Sequence, residues 1–333
     1  MPAPVWTEDF RVSVVEYGSS IVEAISRGQL DLQSQVKKVR QTRKPTASVA
    51  TLELVDPLGS FSTYNIRQAL DVFPLAGLCM EEPGDDFAMY VETQDCVGPK
   101  ANAAIKYTIS QGIVAPQTLS ITHLGDAELT YSVNAKYDGT NAPVAIQQGQ
   151  GNPAVTAASD TRYTMDRMFI VDPANAANNV NVYGKIEIEL AFNSEVNGRG
   201  ADSTLANTVQ TLDNQFQVLT VRGYQLSWYR DNVTPGAADT EPSVVDNIHL
   251  GRDLTDDTSP AATRNITMYL KDRNKAVGDS AHIEIQLRGL LVGDQVLSGA
   301  PDSPAECSFQ LHLVEEGAVA PIIVTSGLVA IPA

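Results

Sequence analysis

Cysteine is scarce in this chain: Cys79, Cys96 and Cys307 are the whole complement among 333 residues. An odd number at wide spacing supports neither a disulfide framework nor a zinc site. Aromatic residues reach only 6% and charged residues 19%. Ala, Val, Thr, Gly and Asn carry the sequence, a composition suited to many thin strands rather than bulky helices. No stretch approaches the roughly 20 apolar residues that a membrane-spanning helix needs. Cations are outnumbered, 23 Lys and Arg against 40 Asp and Glu, for a formal net charge of −17. Such a surface repels phosphates instead of gripping them. The opening "MPAPVWTEDFRV" has no basic stretch followed by an apolar run. No secretory signal is therefore expected, and synthesis and assembly are expected in the cytoplasm.

Catalytic signatures are also missing. The chain has no P-loop, no dinucleotide glycine fingerprint, no H-E-x-x-H, no C-x-x-C and no G-x-S-x-G. Its four histidines, His123, His249, His282 and His312, are scattered. His282 and His312 alternate with apolar residues, which predicts the wetter faces of strands. Two acidic loops, "EEPGDDF" (81–87) and "DLTDDTSP" (253–260), each precede a Met-Tyr strand. Neither has the ligand spacing of a calcium loop, so both read as solvated. No carboxylate pair stands out. The expectation is a protein without enzymatic activity, cofactor or metal.

What the chain does contain is a phrase written twice. "AELTYSVNAKYDGTNAPVAI" (127–146) lies over "AECSFQLHLVEEGAVAPIIV" (305–324) at a constant shift of 178 (127 to 305, 143 to 321). The same shift places "AAIKYTISQGIVAPQTLS" (103–120) over "AHIEIQLRGLLVGDQVLS" (281–298), with Val114 on Val292. Before that, Met89 meets Met268 one position out of step. The period is too long for a solenoid, whose repeats run about 20–50 residues. It predicts two tandem domain copies, 1–157 and 158–333. Cys307 stands where the first copy has Leu129, so it is expected to be a small buried hydrophobe.

The local patterns are those of strands. "KIEIELAF" (185–192), "HIEIQLR" (282–288) and "SFQLHL" (308–313) alternate apolar and polar residues, which gives each strand one buried and one wetter face. "LELVDP" (52–57) and "LSWYRDN" (226–232) read as further strands. "YDGTN" (137–141) and "VNGRG" (196–200) read as tight turns, because Asp-Gly and Asn-Gly supply positive φ. "STYNIRQALDVFPLAG" (62–77) predicts a helix capped by Ser62 or Thr63, with Ile66, Ala69, Leu70 and Phe73 inward. "EPSVVDNIHLGRDL" (241–254) is its weaker counterpart, and "YGSSIVEAISRG" (17–28) reads as another short helix. The fold class expected is mainly β: two antiparallel β-sandwich or open-barrel domains, each with a packed helix.

One segment breaks the acidic rule. "QVKKVRQTRKP" holds Lys37, Lys38, Arg40, Arg43 and Lys44, five of the 23 basic residues. It is either an edge strand kept soluble by charge, an arm that docks on an acidic neighbour, or a nucleic-acid patch. The last is weakened by the absence of interleaved aromatics. Contact with an adjacent subunit is the expectation for these five residues.

"GDAELTYSVNAKYDGTNAPVAI", with "RYTMDRMFIV" and "VYGKIEIELAF", resembles the tail tube (major tail) proteins of long-tailed bacteriophages and related tube proteins of phage-derived gene clusters. The likeness lies in strand and turn patterns over about half the chain. It implies sheets joined side by side into a ring, and rings stacked into a tube that carries DNA. The family's usual ring has six single domains. Two copies per chain imply a homotrimer with pseudo-six-fold symmetry, stacking into a filament. Other tail proteins are implied as partners, viral DNA passes without specific binding, no membrane is involved in the mature tube, and the location is the virion tail. An acidic bore lets DNA slide, and Glu187, Glu189 and Glu284 are the candidate lumen-facing residues. The alternatives are a capsid decoration or distal-tail adaptor protein, and a β-sandwich binding module. The last wants exposed aromatics in a cleft, and the chain has two tryptophans, Trp6 and Trp228.

Overall fold

The computed structural model describes residues 8–332 except 40–45, 48, 83, 97, 155–160, 172–179, 183, 202–203, 225–263 and 316–319. Among these the chain is mainly β, with large antiparallel sheets of β-sandwich character and one helix. Strands β1 (Asp9–Tyr17), β2 (Ser20–Val22), β3 (Ile25–Asp31), β4 (Ser34–Val39), β5 (Val49–Val55) and β6 (Leu58–Thr63) lead to helix α1 (Ile66–Val72). Then come β7 (Leu78–Met80), β8 (Phe87–Gln94), β9 (Ala104–Ile109), β10 (Gly112–Thr122), β11 (Glu128–Ala135) and β12 (Ala145–Gln150). The later strands are β13 (Tyr163–Val171), β14 (Val180–Asn181), β15 (Lys185–Ala191), β16 (Ser194–Gly200), β17 (Asn207–Gln215) and β18 (Val218–Gly223). The last four are β19 (Arg264–Asp272), β20 (His282–Ala300), β21 (Ser303–Leu313) and β22 (Ile322–Val329).

Two compact units result. One holds 1–117, 129–160 and 194–215; the other holds 118–128, 161–193 and 216–333. Each therefore includes a segment from the other half of the sequence.

In the first unit, β12-β9-β8-β1-β2 form one antiparallel sheet, and β11, β6 and β3 join the first part of β10 in another. Strict alternation buries Leu129, Tyr131, Val133 and Ala135 along β11. The core is aromatic. Tyr131 stacks on Phe61 at 5.3 Å between ring centres, Phe73 arrives from the end of α1, and Phe87 from β8. The Tyr131 hydroxyl donates to the Phe73 carbonyl at 2.9 Å, which satisfies the one polar atom of this cluster. Burying each such ring stabilises the unit by about 1.5–3 kcal/mol. In the second unit, β15, β18 and β21 run side by side, and β20 pairs with β21, β19 and β22. Ile188, Leu190, Val221, Phe309, Leu311, Ile283, Ile285 and Met268 fill its interior.

The two strand sets share their registers. Ser34 pairs with Val55, Lys37 with Thr51 and Val39 with Val49. At a shift of 160 (34 to 194, 55 to 215), Ser194 pairs with Gln215, Asn197 with Thr211 and Arg199 with Val209. The bulge after Gln35 recurs after Glu195. The left-handed φ of Gln33 (41°) recurs at Asn193 (48°). Ile25–Thr63 and Arg27–Ser62 reappear as Lys185–Gly223 and Glu187–Arg222, bulge included. Met89–Tyr107 reappears as Met268–Ile285, and Tyr107–Ile146 as Ile285–Val324. Thr63 opposes Leu129 as Gly223 opposes Cys307. The correspondence reaches well beyond the stretch that sequence similarity marks.

It also corrects that alignment at one point. Gly112 and Gly289 occupy the same place: a Cβ on either would meet the carbonyl oxygen of Asn134 at 1.9 Å or of His312 at 2.1 Å. Only glycine permits that approach. Val114 therefore matches Leu291, not Val292, because one residue is absent between the strands of the later set. That set runs through the position as one long strand, β20, where the first breaks at Ser110–Gln111 into β9 and β10.

Other local expectations are corrected as well. Residues 17–28 form no helix: Gly18 (φ 57°) turns the chain, Val22 pairs back on Val15, and Ala24 (φ 53°) turns it again into β3. Ser62 and Thr63 continue β6, and the cap of α1 is Asn65, whose side chain accepts the Gln68 N–H. The expected inner face is buried at Ile66, Ala69 and Phe73. "YDGTN" joins strands of different pairings instead of closing a hairpin; Asp138 accepts the Thr140 and Asn141 N–H groups there. "VNGRG" lies inside β16, where Gly198 makes room for Asn207: a Cβ would stand 2.2 Å from its amide nitrogen. The strand expected at 226–232, the helix expected at 241–254, the acidic loop at 253–260, Trp6, Trp228 and His249 lie outside the described residues.

Candidate assembly surface

Two hairpins of matching register have different surroundings. Hairpin β16–β17 is seated. Val55 N–H donates to the Leu205 carbonyl at 2.6 Å, and Tyr137 N–H donates to the Asn207 carbonyl at 2.8 Å. Asn207 is buried, and its amide donates to Asp56 at 2.8 Å. Gln210 donates to the Ala135 carbonyl at 2.9 Å, and the Ser194 hydroxyl donates to that of Pro116 at 2.7 Å. Gly77, at φ 86°, has no side chain to obstruct Leu212. Satisfying buried backbone donors and acceptors this way makes the seat specific, since leaving one unpaired costs about 1–3 kcal/mol.

Among the described residues, hairpin β4–β5 is exposed instead. Every described residue of β4 is exposed, and Val36 and Leu52 remain 52% and 41% accessible. Lys37 pairs with Glu53 at 3.1 Å within the hairpin, and Lys38 is exposed on the same strand. Arg40, Arg43 and Lys44 lie outside the described residues. Of the cationic segment, the structure therefore describes Lys37 and Lys38, both on β4.

The candidate lumen residues lie on two strands of the second unit. Glu187 and Glu189 share one face of β15, opposite buried Ile188 and Leu190, and Glu187 pairs with Arg222 at 3.1 Å. Glu284 lies on β20 opposite Tyr269 and accepts a hydrogen bond from Gln286. Burial, reinforced by Glu284, pushes the Tyr269 hydroxyl up to about 12.

His282 is fully buried, not on a wetter face. Its Nδ1 accepts the Asp272 N–H at 3.1 Å, and its Nε2 lies 2.8 Å from the Ala276 carbonyl, an arrangement that fits the Nε2–H tautomer. His282 thus ties off the turn after β19, a role that alternation alone does not reveal. His312 is exposed, as expected. Cys307 is buried, as expected, and burial pushes its thiol up to about 11. Cys79 and Cys96 are exposed. Lys185, which sequence reading does not single out, lies beside Asp166, His123 and Arg273 in a cleft of the second unit. Its ammonium donates to the Val182 carbonyl at 2.8 Å, and burial pulls it down to about 8 against the opposing pull of Asp166. Among the described residues no group of three His, Cys, Asp or Glu is placed to hold a metal, and no helix is long and apolar enough to cross a membrane.

Neither a scan against protein-family models nor a search of curated proteins found a match for this chain.

Proposed function

We propose that this chain is a structural protein built from two tandem copies of one sandwich domain, residues 1–157 and 158–333, that self-assembles into rings and stacks them into a tube of the phage tail-tube kind. The observation that carries the reading is the shared register of the two strand sets, bulges included. Duplication supplies each chain with two like surfaces, and like surfaces related by a rotation close into a ring. Head-to-tail contacts along the axis stay open and give a filament. In this reading each copy carries one packed helix, three chains make a pseudo-six-fold ring, and the glutamates of β15 and β20 line an acidic bore that DNA passes without specific binding. The virion tail is the location. The net charge of −17 favours such passage, since cationic contacts are what retain DNA.

The test is native mass spectrometry of the purified protein followed by negative-stain microscopy. Trimers and stacked rings with a central channel are the expected result. Isolated rings, or knobs bound to capsids, favour the adaptor or decoration reading. Monomers at every concentration, or rings of six whole chains, count against the trimer.

A further inference from the structure

The seated and unseated hairpins occupy the same register of the repeat, so the seat has a counterpart too. On the first unit it is formed by Asp56 and by Ala135, Lys136 and Tyr137 at the end of β11 and just after it. Carried along by the shifts of 160 and 178, these positions become Phe216 and Leu313, Val314 and Glu315 (56 to 216, 135 to 313). In the first unit Ala135 is buried, and Lys136, Tyr137 and Asp56 are partly covered. In the second, Phe216 is 68% and Val314 46% accessible, and Glu315 is exposed. The hairpins show the same contrast from the other side. Ala206 and Asn207 are buried while Thr46 and Ala47 are exposed; Gln210 and Leu212 are partly covered while Ala50 and Leu52 are exposed. Among the described residues, one chain therefore presents an exposed hairpin and an exposed seat, each the counterpart of half of an interface that the same chain already makes internally.

We propose that hairpin β4–β5 docks on the Phe216–Val314–Glu315 seat of a second copy of this chain, repeating between chains the contact that β16–β17 makes within one. Exposed apolar side chains stand on both partners, Val36 and Leu52 on the hairpin and Phe216 and Val314 on the seat. Lys38, exposed on β4, carries the charge opposite to that of Glu315, which stands where Tyr137 meets the backbone of Asn207. The interface is heterologous: each chain gives one hairpin and receives one, so it propagates from chain to chain until a rotation closes it. In a closed ring, internal and inter-chain dockings alternate, and three chains supply six. This names the contact surface for the self-assembly reading above and rests on it.

Two sets of variants of the full chain test it. Phe216→Asp and Leu52→Asp alter exposed positions, so circular dichroism and thermal melting should match the parent. Each is expected to raise the concentration needed for half-assembly at least tenfold by light scattering. Separately, Ala47→Cys with Glu315→Cys, in a background with Cys79→Ser and Cys96→Ser, should give an inter-chain disulfide on oxidation, mapped by peptide mass. Either cysteine alone should give none. If the folded Asp variants assemble as the parent does and the cysteine pair stays unlinked between chains, the docking is wrong while self-assembly stands. If the parent itself stays monomeric at all concentrations, the docking and the assembly reading fall together.

Discussion

Lys185 shows how one residue's surroundings become a measurable property. Its ammonium is held at about 8 by burial, whereas an unfolded lysine titrates near about 10.4. Between those values the unfolded chain binds the extra proton, so stability rises with pH across that window. Below it, the desolvated charge weakens the fold. Lys185→Met removes the charge, so its advantage over the parent in urea unfolding should be largest near pH 7.5 and shrink toward pH 10. A constant difference would show that the lysine is solvated. The thiols give a second test at this scale. In the folded protein at pH 8, iodoacetamide should modify Cys96 first. Cys79 should follow more slowly, because burial and Glu81 push its thiol up. Buried Cys307 should react only after denaturation.

At the scale of elements, the glycines at the strand junctions make the sharpest case. Gly112→Ala and Gly289→Ala each drive a Cβ into a backbone carbonyl, and each should cost at least about 3 kcal/mol, the upper part of the usual range. Gly139→Ala meets nothing within 4 Å and bears only its left-handed φ of 91°, a cost of about 1–2 kcal/mol. Denaturant midpoints would rank the three. The same glycines show what is legible in advance. Alternating strands such as 185–191 and 282–288 announce themselves, because one face must be apolar. The glycine-bearing phrases mislead because a glycine serves a turn and a close approach equally well: Gly198 in "VNGRG" yields to Asn207 inside a strand, a contact invisible until β17 lies beside β16. That strands β3 to β6 match β15 to β18 is faint in the sequence, since a sheet register tolerates many side chains and the coincidences are scattered, as at Leu30 and Leu190, Ser34 and Ser194, Val36 and Val196, Val49 and Val209, Thr51 and Thr211, and Leu52 and Leu212. The docking seat is illegible for the same reason: it is defined by which copy is covered.

At the scale of the whole molecule, the cationic segment 37–44 on a chain of charge −17 is drawn to any other copy. Exposed ion pairs contribute about 0–1 kcal/mol each, so their effect falls mainly on encounter rate and register. Replacing Lys37, Lys38, Arg40, Arg43 and Lys44 with Gln should leave the monomer folded yet slow or shorten polymer growth. Salt should mimic this, because screening already acts within about 8–10 Å at physiological strength. Light-scattering traces at several salt concentrations would reveal it. A neutralised variant that grows normally at every concentration would reduce the segment to a solubilising edge.

The seating of residues 194–215 on the first unit also sets an order of events on the ribosome. The first 150 residues emerge with strands β1 to β12 and the seat in hand, yet the segment that caps the seat is still untranslated. At about 5–20 residues per second, the wait lasts several seconds or more. Throughout it the nascent chain displays the bare surface around Asp56 and Tyr137, and neighbouring nascent chains on the same message display theirs. Fidelity then depends on a race between a chain's own β16–β17 and a hairpin from another polysome-bound copy. The short tether favours the former, because an intramolecular segment acts at millimolar effective concentration.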